Sequence, residues 1–350
     1  MTRDRCDTTI DLHHLKMIWR RPMRHTALYL VTLLLCCTES SSAQQQFYDT
    51  VNVNGVNRQF LIYLPTNFDP DENMPVLFHF HGGDGSPELA IQYEADYRTL
   101  ANLHRFIAVY PSALVDNTGC TCWNNEGPFS NGIDELGFAD AMIDAMTANY
   151  NANPDRIYAS GYSLGGSMMW DLACYRSDRF AAIGVVAANM WQWTYADCAA
   201  ALPTGICHIL GTNDFYAPYN GNQYSISVSD QNAHWVDINQ SDSAAIETPL
   251  GGGVTRFLWP EGDGCHTVMH YRRQNAGHDW PSFATQSIWE FVSEYESGGL
   301  ADCLDQPCTG DITGDNTVNV SDVLFVIENW GSPYDVSDML QVIGGWGPCT

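Results

Sequence analysis

The chain has 350 residues, of which 45% are hydrophobic, enough for one large domain with a full core and a smaller one beside it. Its formal net charge is −26 at pH 7, and Lys16 is its only lysine. Phosphate backbones and anionic membrane surfaces are bound by clustered Lys and Arg, so this composition argues against nucleic acid and membrane partners and for solubility outside the cell.

Residues 1–43 have the layout of an export signal. Arg20, Arg21 and Arg24 precede an apolar run over 27–37, and Ser41-Ser42-Ala43 offers a small-residue cleavage site. The run is too short to span a bilayer. The region before it is long, and translation beginning at Met17 or Met23 fits such a signal better. The mature protein is therefore expected to be secreted. Nine cysteines follow residue 43, and in an exported chain they indicate disulfides. Cys120-Thr121-Cys122 is expected not to close on itself, because so small a ring is strained.

In chain order, β-rich runs over 47–53 and 58–64 flank Asn54-Gly55 and predict a hairpin. Residues 75–81 form a nearly unbroken apolar strand, as in a sheet covered on both faces, and end in His81-Gly82-Gly83. A helix is predicted over 88–104, a strand over 106–110, a Gly- and Cys-rich loop over 115–133 and a helix over 134–150. A strand leads into Gly161-Tyr162-Ser163-Leu164-Gly165, and a helix follows over 167–175. Further strands are predicted over 180–188, 206–211, 254–259 and 267–271, with a closing helix over 282–295. Strands alternating with helices imply an α/β fold with a mostly parallel sheet and right-handed crossovers.

The strand, sharp turn and helix around Gly161–Gly165 are the context of a nucleophile elbow, which holds a serine hydroxyl out at the top of a sheet. That hydroxyl needs a histidine to take its proton and a carboxylate to orient the histidine. Ser163, Asp214 and His278 occur in the order serine, acid, histidine, each at or after a strand end. Asp263 is the competing acid. Asp279 adjoins His278, so its side chain projects elsewhere. His79 and His81 lie on or at the end of a buried strand and read as structural; His208 is mid-strand, and His234, His266 and His270 lack the loop placement. The oxyanion hole requires two backbone amides. One is assigned to Leu164; the other belongs to Gly82 or Gly83, which the residues alone do not separate. Tyr162, Trp123, Trp191, Trp193, Tyr216 and Trp280 are the aromatic candidates for substrate contact near the predicted active end.

Between about Arg58 and Pro281 the chain resembles the secreted esterases that include poly(3-hydroxybutyrate) depolymerases and feruloyl or acetylxylan esterases. The resemblance rests on Arg58-Gln-Phe-Leu-Ile-Tyr-Leu-Pro65, His79-Phe-His-Gly-Gly83, Ala108-Val-Tyr-Pro111, Trp123-Asn124, Asp155-Arg-Ile-Tyr-Ala-Ser-Gly161, Ser163-Leu-Gly-Gly166, Gly211-Thr-Asn-Asp214 and Gly277-His-Asp-Trp-Pro281. It implies an α/β-hydrolase fold over residues 44–297, carboxylic-ester hydrolysis without a catalytic cofactor, and Asp214 rather than Asp263 as the acid. Many relatives carry a cysteine where Ser241 stands, so the resemblance does not supply a partner for Cys265.

Composition shifts at Ser297-Gly298-Gly299, and a linker is predicted over 298–309. Beyond it, residues 320–331 recur as 336–347, each copy a short helix ended by glycine. Asp311, Thr313, Asp315, Thr317, Asn319 and Asp322 have the spacing of a calcium loop, with Thr317 offering its carbonyl. The module over 310–350 resembles dockerin-type repeats, which implies docking onto a cohesin-bearing scaffold or surface. The second copy has lost most of its loop, so one structural calcium is expected, with Cys303 or Cys308 paired to Cys349.

Overall fold

The computed structural model describes residues 45–125, 132–260, 262, 265–300, 310, 312–313, 317–331, 334, 336–344 and 347–348. The export signal, the linker over 301–309, Asp263, Asp311 and Asp315 lie outside the described residues.

Strands β1 (Gln46–Val53) and β2 (Val56–Tyr63) form the expected hairpin, with Asn54 at φ 51° and Gly55 at φ 87°, the two positive values a tight turn requires. Next come β3 (Met74–Phe80), β4 (Ile107–Pro111), β5 (Ala152–Tyr162), β6 (Ala182–Val186), β7 (Gly205–Gly211), β8 (Ile246–Gly251), β9 (Val254–Trp259) and β10 (Val268–Arg273). They form a ten-stranded sheet in the order β1-β2-β4-β3-β5-β6-β7-β10-β9-β8. The six strands from β4 to β10 in that order run parallel, and antiparallel hairpins extend both ends. This is the mostly parallel α/β sheet expected from the sequence.

Successive side chains of a strand face opposite sides, and the buried residues divide accordingly. Val76, Phe78 and Phe80 pack on one face with helices α3 (Glu135–Tyr150) and α4 (Leu164–Tyr175). Leu77, Ala108 and Tyr158 pack on the other, with α1 (Pro87–Tyr93), α2 (Arg98–His104) and α7 (Ala284–Val292).

The helix expected over 88–104 is two helices. Glu94 leaves helical geometry at φ −118°, ψ −98°, and its carboxylate turns to Gly82 N and His79 Nε2, each 3.1 Å away. A tertiary contact thus overrides an uninterrupted helical pattern. The sequence also left out α5 (Gln192–Asp197), α6 (Val228–Ile238) and β8. Helix α6 has a readable start, since the Ser227 hydroxyl accepts from Asp230 N at 3.1 Å. Strand β8 has no apolar alternation because it is an exposed edge, with Pro249 and an irregular register before Gly251.

The expectation for Cys120 and Cys122 is overturned: they are disulfide-bonded to each other. The chain bends at Thr121, bringing the Cα atoms to 5.2 Å, within bonding range, where two extended residues would hold them roughly 7 Å apart. Cys174 and Cys198 form a second disulfide, Cys265 is also disulfide-bonded, and Cys207 is free and buried.

Near the C-terminus, α8 (Val320–Glu328) and α9 (Val336–Gly344) are the two repeated helices. Val326 and its counterpart Val342 are buried with Val318 in a small apolar cluster of their own. The repeat also places three matched pairs on the outside: Val320 and Val336, Leu324 and Leu340, Ile327 and Ile343. No described helix is long and apolar enough to cross a membrane.

Candidate active site

Strand β5 ends at Tyr162, and α4 begins at Leu164. Ser163 between them has φ 52° and ψ −117°, a strained conformation for a residue with a side chain, costing about 1–3 kcal/mol. The neighbours must be glycine: a Cβ on Gly161 would lie 2.2 Å from Gly165 O, and one on Gly165 would lie 2.0 Å from Phe80 O. The pentapeptide is therefore an elbow wedged against the end of β3.

Asp214 sits in the turn after β7, and His278 in the loop after β10, its parallel neighbour. The two loops are joined through Asn213 N, which donates to Ala276 O at 2.9 Å. His278 Nε2 lies 2.8 Å from Ser163 Oγ. Its Nδ1 lies 2.8 and 3.0 Å from the two Asp214 carboxylate oxygens. Asp214 is buried, and its Oδ1 also accepts from Tyr216 N and Ala217 N, both at 2.9 Å. A proton on Nδ1 faces the carboxylate, so Nε2 is the acceptor for the serine proton. An imidazolium formed in this position is stabilised by a fixed negative charge.

The sequence competitors lie elsewhere. Asp279 pairs with Arg273 at 2.8 Å. His208 and His270 pack against each other in the core with ring centroids 4.9 Å apart, and burial lowers the His208 pKa to about 3 and that of His270 well below its usual value.

The Gly82 and Gly83 amides are placed differently. Gly82 N donates to Glu94 Oε1, and Gly82 O accepts from His81 Nδ1 at 2.7 Å and Gly85 N at 3.1 Å. His81 Nε2 accepts from Ala113 N at 3.3 Å, which leaves the ring proton on Nδ1; burial holds this imidazole below its usual pKa and hence neutral. In a trans peptide the C=O and the following N–H point in opposite directions. Pinning Gly82 O therefore turns the Gly83 N–H the other way, where it makes no hydrogen bond among the described residues. Leu164 N is an orphan amide of the first turn of α4. Asp84 N donates to Thr121 O at 3.1 Å, tying this loop to the segment closed by the Cys120–Cys122 disulfide. Among the described residues these two cysteines with Asp84 are the one group spaced like metal ligands, but their sulfurs are bonded to each other.

A cleft of about 630 Å³ opens over Ser163 and His278, lined by Gly83, Leu164, Tyr162, Trp191 and Tyr216 among others. Burial raises the Tyr162 phenol to about 12, so it stays protonated and donates to His278 O at 3.1 Å. The exposed Tyr216 ring lies 4.9 Å from that of His278. Trp191 stacks on Trp193 at 5.1 Å and is shared with an adjoining groove. Of the expected substrate contacts, Trp193, Trp123 and Trp280 do not line the cleft. Trp193 lines the adjoining groove. Trp123 is buried against Phe80 and donates to His81 O at 2.7 Å, reaching only the adjoining groove. Trp280 packs edge-on against His79 and donates to Thr285 Oγ1, because the chain turns back into the core after His278. Glu94 lines the cleft and was not singled out by the sequence; only the break between α1 and α2 puts it there.

At the proposed calcium loop, Asp322 is buried. Its Oδ1 accepts from Ile312 N, Thr313 N and Thr313 Oγ1, each at 2.9 Å, and its Oδ2 from Asn319 N at 2.8 Å. The Asn319 side chain caps α8 by accepting from Ser321 N. Thr317 lies in a short strand, Thr317–Val318, paired with Gly347–Pro348.

The Esterase family model matches residues 52–203. The bifunctional acetylxylan esterase/xylanase XynS20E of Neocallimastix patriciarum is 27% identical over 249 residues, covering 70% of this chain and 34% of that protein. Poly(3-hydroxyalkanoate) depolymerase C of Paucimonas lemoignei is 23% identical over 288 residues, 74% of this chain and 67% of that protein. Feruloyl esterase C of Emericella nidulans is 26% identical over 259 residues, covering 69% and 86%. The chain thus spans about a third of the first of these relatives and most of the third. Among solved structures, the acetyl xylan esterase from Aspergillus awamori matches with TM-score 0.52 at 15% identity, over 70% of this chain and 98% of that one, which shows a shared α/β-hydrolase fold.

Proposed function

We propose that this chain is a carboxylic-ester hydrolase that removes feruloyl or acetyl groups from plant or algal polysaccharides through an acyl-enzyme at Ser163, a reading supported by its match to the Esterase model and its likeness to acetylxylan and feruloyl esterases. The observation that carries the reading is the hydrogen-bonded chain from Ser163 through His278 to buried Asp214, at the floor of an open cleft. His278 Nε2 takes the serine proton as Oγ attacks the ester carbonyl. The carbonyl electron pair moves onto oxygen, where the amides of Gly83 and Leu164 receive it. Asp214 stabilises the imidazolium. The intermediate collapses, and His278 returns the proton to the departing sugar hydroxyl. Water, deprotonated by the same nitrogen, then attacks the acyl carbonyl, releasing the acid and restoring Ser163.

The likeness to a polyhydroxyalkanoate depolymerase favours a second substrate class, a polyester. The purified enzyme is expected to release ferulate from arabinoxylan or acetate from acetylxylan and to leave a polyhydroxybutyrate film intact. Film clearing without acid release from either polysaccharide would replace the first reading with the second.

The same reading places the mature enzyme outside the cell, supported by the layout of residues 1–43 and by the disulfides. In the C-terminal module, Asn319 and Asp322 offer the hard oxygen ligands calcium prefers, with Asp322 exchanging hydrogen bonds within its loop for the cation. The matched exposed residues of α8 and α9 are the surface by which a scaffold partner would hold the enzyme. One preparation of exported protein tests export and calcium together. Its mass should begin at Gln44, and melting of the full chain should respond to calcium and chelator in opposite directions. A mass that retains residues 1–43 removes the first assignment, and melting indifferent to both reagents removes the second.

A further inference from the structure

The cleft over Ser163 is smaller than a second cavity on the same domain. A groove of about 970 Å³ lies between α6 and one face of β9 and β10. The antiparallel register sets Trp259 opposite Val268, Phe257 opposite His270 and Thr255 opposite Arg272, so Trp259, Phe257, His270 and Arg272 share a face. The Phe257 ring lies 6.2 Å from that of Trp259 and 6.2 Å from that of His270, tilted 25° from each. Trp259 and Phe257, both half-buried, are the part of this aromatic row that a ligand can reach, while His270 is buried. Arg272 lies 4.9 Å over Phe257 and 3.7 Å from Glu247, so its charge has a partner. Helix α6 supplies the polar wall through Ser229, Asn232 and Asp237.

Asn232 makes this more than a crevice. It is 6% exposed and lines the groove, yet its carboxamide makes no hydrogen bond to any described residue. The amide atoms are not sealed from solvent, so two donors and two acceptor lone pairs stand open to whatever fills the groove. A ligand hydroxyl can use both kinds at once. A pyranose presents that chemistry: C–H groups on a flat face and hydroxyls around its edge that both donate and accept. Aromatic rings beside an amide suit the two parts. With a net charge of −26 and no lysine beyond Lys16, the protein repels polyanions, so the sugar is a neutral one.

The groove also lies next along the chain from the catalytic cleft. Tyr216 and Ala217, just after Asp214, line the cleft, while Tyr219, whose hydroxyl meets His270 Nε2 at 2.8 Å, lines the groove. We propose that this groove is a non-catalytic binding site for a neutral polysaccharide chain, a site that rests on the polysaccharide reading above and would hold the polymer while its ester groups are removed.

The test uses full-length protein in which Ser163→Ala stops turnover, with xylohexaose in solution and insoluble arabinoxylan as probes. Adding Trp259→Ala or Asn232→Ala should weaken binding of both probes by about tenfold. In the enzyme that retains Ser163, the same changes should slow acid release from insoluble arabinoxylan but leave 4-nitrophenyl acetate hydrolysis within about twofold. Asn232→Ala removes no hydrogen bond within the protein and should not lower the melting temperature, which keeps the test open where Trp259→Ala fails to fold. Unchanged binding in folded Asn232→Ala protein overturns the proposal, and so does the absence of binding to either probe by the Ser163→Ala protein. If the enzyme releases ferulate or acetate while binding ignores Asn232, the groove assignment falls alone. If it clears only polyester yet binds xylohexaose through Asn232, the substrate reading falls alone.

Discussion

Replacing Ser163 with alanine is expected to lower kcat for a 4-nitrophenyl ester by about 10⁴- to 10⁶-fold, with little change in melting temperature. Without Oγ there is no acyl-enzyme, and hydrolysis falls back on whatever the amides of Gly83 and Leu164 and substrate positioning can still supply. Adding His278→Ala to Ser163→Ala should cost little more, because His278 acts on a proton that is no longer there. The strained backbone at position 163 persists with alanine, so folding is not the quantity that moves. The measurement is steady-state hydrolysis alongside a melt. Activity within tenfold of the native enzyme in folded Ser163→Ala protein would remove Ser163 as the nucleophile.

The second large effect is expected at Glu94, acting as a positioning residue for the oxyanion loop. Its carboxylate holds Gly82 N through Oε1 and His79 Nε2 through Oε2, while His79 Nδ1 reaches Ser160 Oγ at 2.9 Å. Ser160 is three residues before Ser163 on β5, so this chain of contacts fixes the Gly82–Gly83 peptide relative to the elbow. Glu94→Ala is expected to lower kcat by about 10- to 100-fold with KM within about twofold, because a misplaced amide is felt in the transition state rather than in binding. Glu94→Gln should restore most of the rate. Its carbonyl can accept from Gly82 N, its amide can donate to His79 Nε2, and it removes a negative charge from beside a developing oxyanion. Full activity in Glu94→Ala, or a loss confined to KM, would show that His81 and Gly85 hold the loop without it. Failure of Glu94→Gln to recover activity lost in Glu94→Ala would count equally against positioning by hydrogen bonds.

These two residues mark what the chain discloses before it folds. Ser163 is legible because its whole context is local: a β-prone run, two glycines without which the turn collides, and an amphipathic run after it. Asp214 and His278 are legible as polar residues at the ends of apolar strands, although only the parallel pairing of β7 with β10 brings them together. Glu94 is illegible. Its neighbours continue a helical pattern, and the reason the helix stops there is a glycine amide on another element. The choice between Gly82 and Gly83 was likewise undecidable in sequence, since it turns on which way one peptide plane faces. Trp123 and Trp280 misled for the opposite reason. Aromatic residues in loops near an active site can face the cavity or the core, and composition does not distinguish the two.

The outer hairpin of the sheet bears on how the protein behaves when crowded. Among the described residues strand β8 has a strand partner on one side only, and an open strand edge is a template for another chain. In this strand Pro249 has no amide to offer, and the register breaks before Gly251. The edge is thus interrupted where a neighbouring copy would have to continue the ladder, and at a net charge of −26 two copies repel as they approach. The last strand of the sheet therefore offers a second copy little to extend.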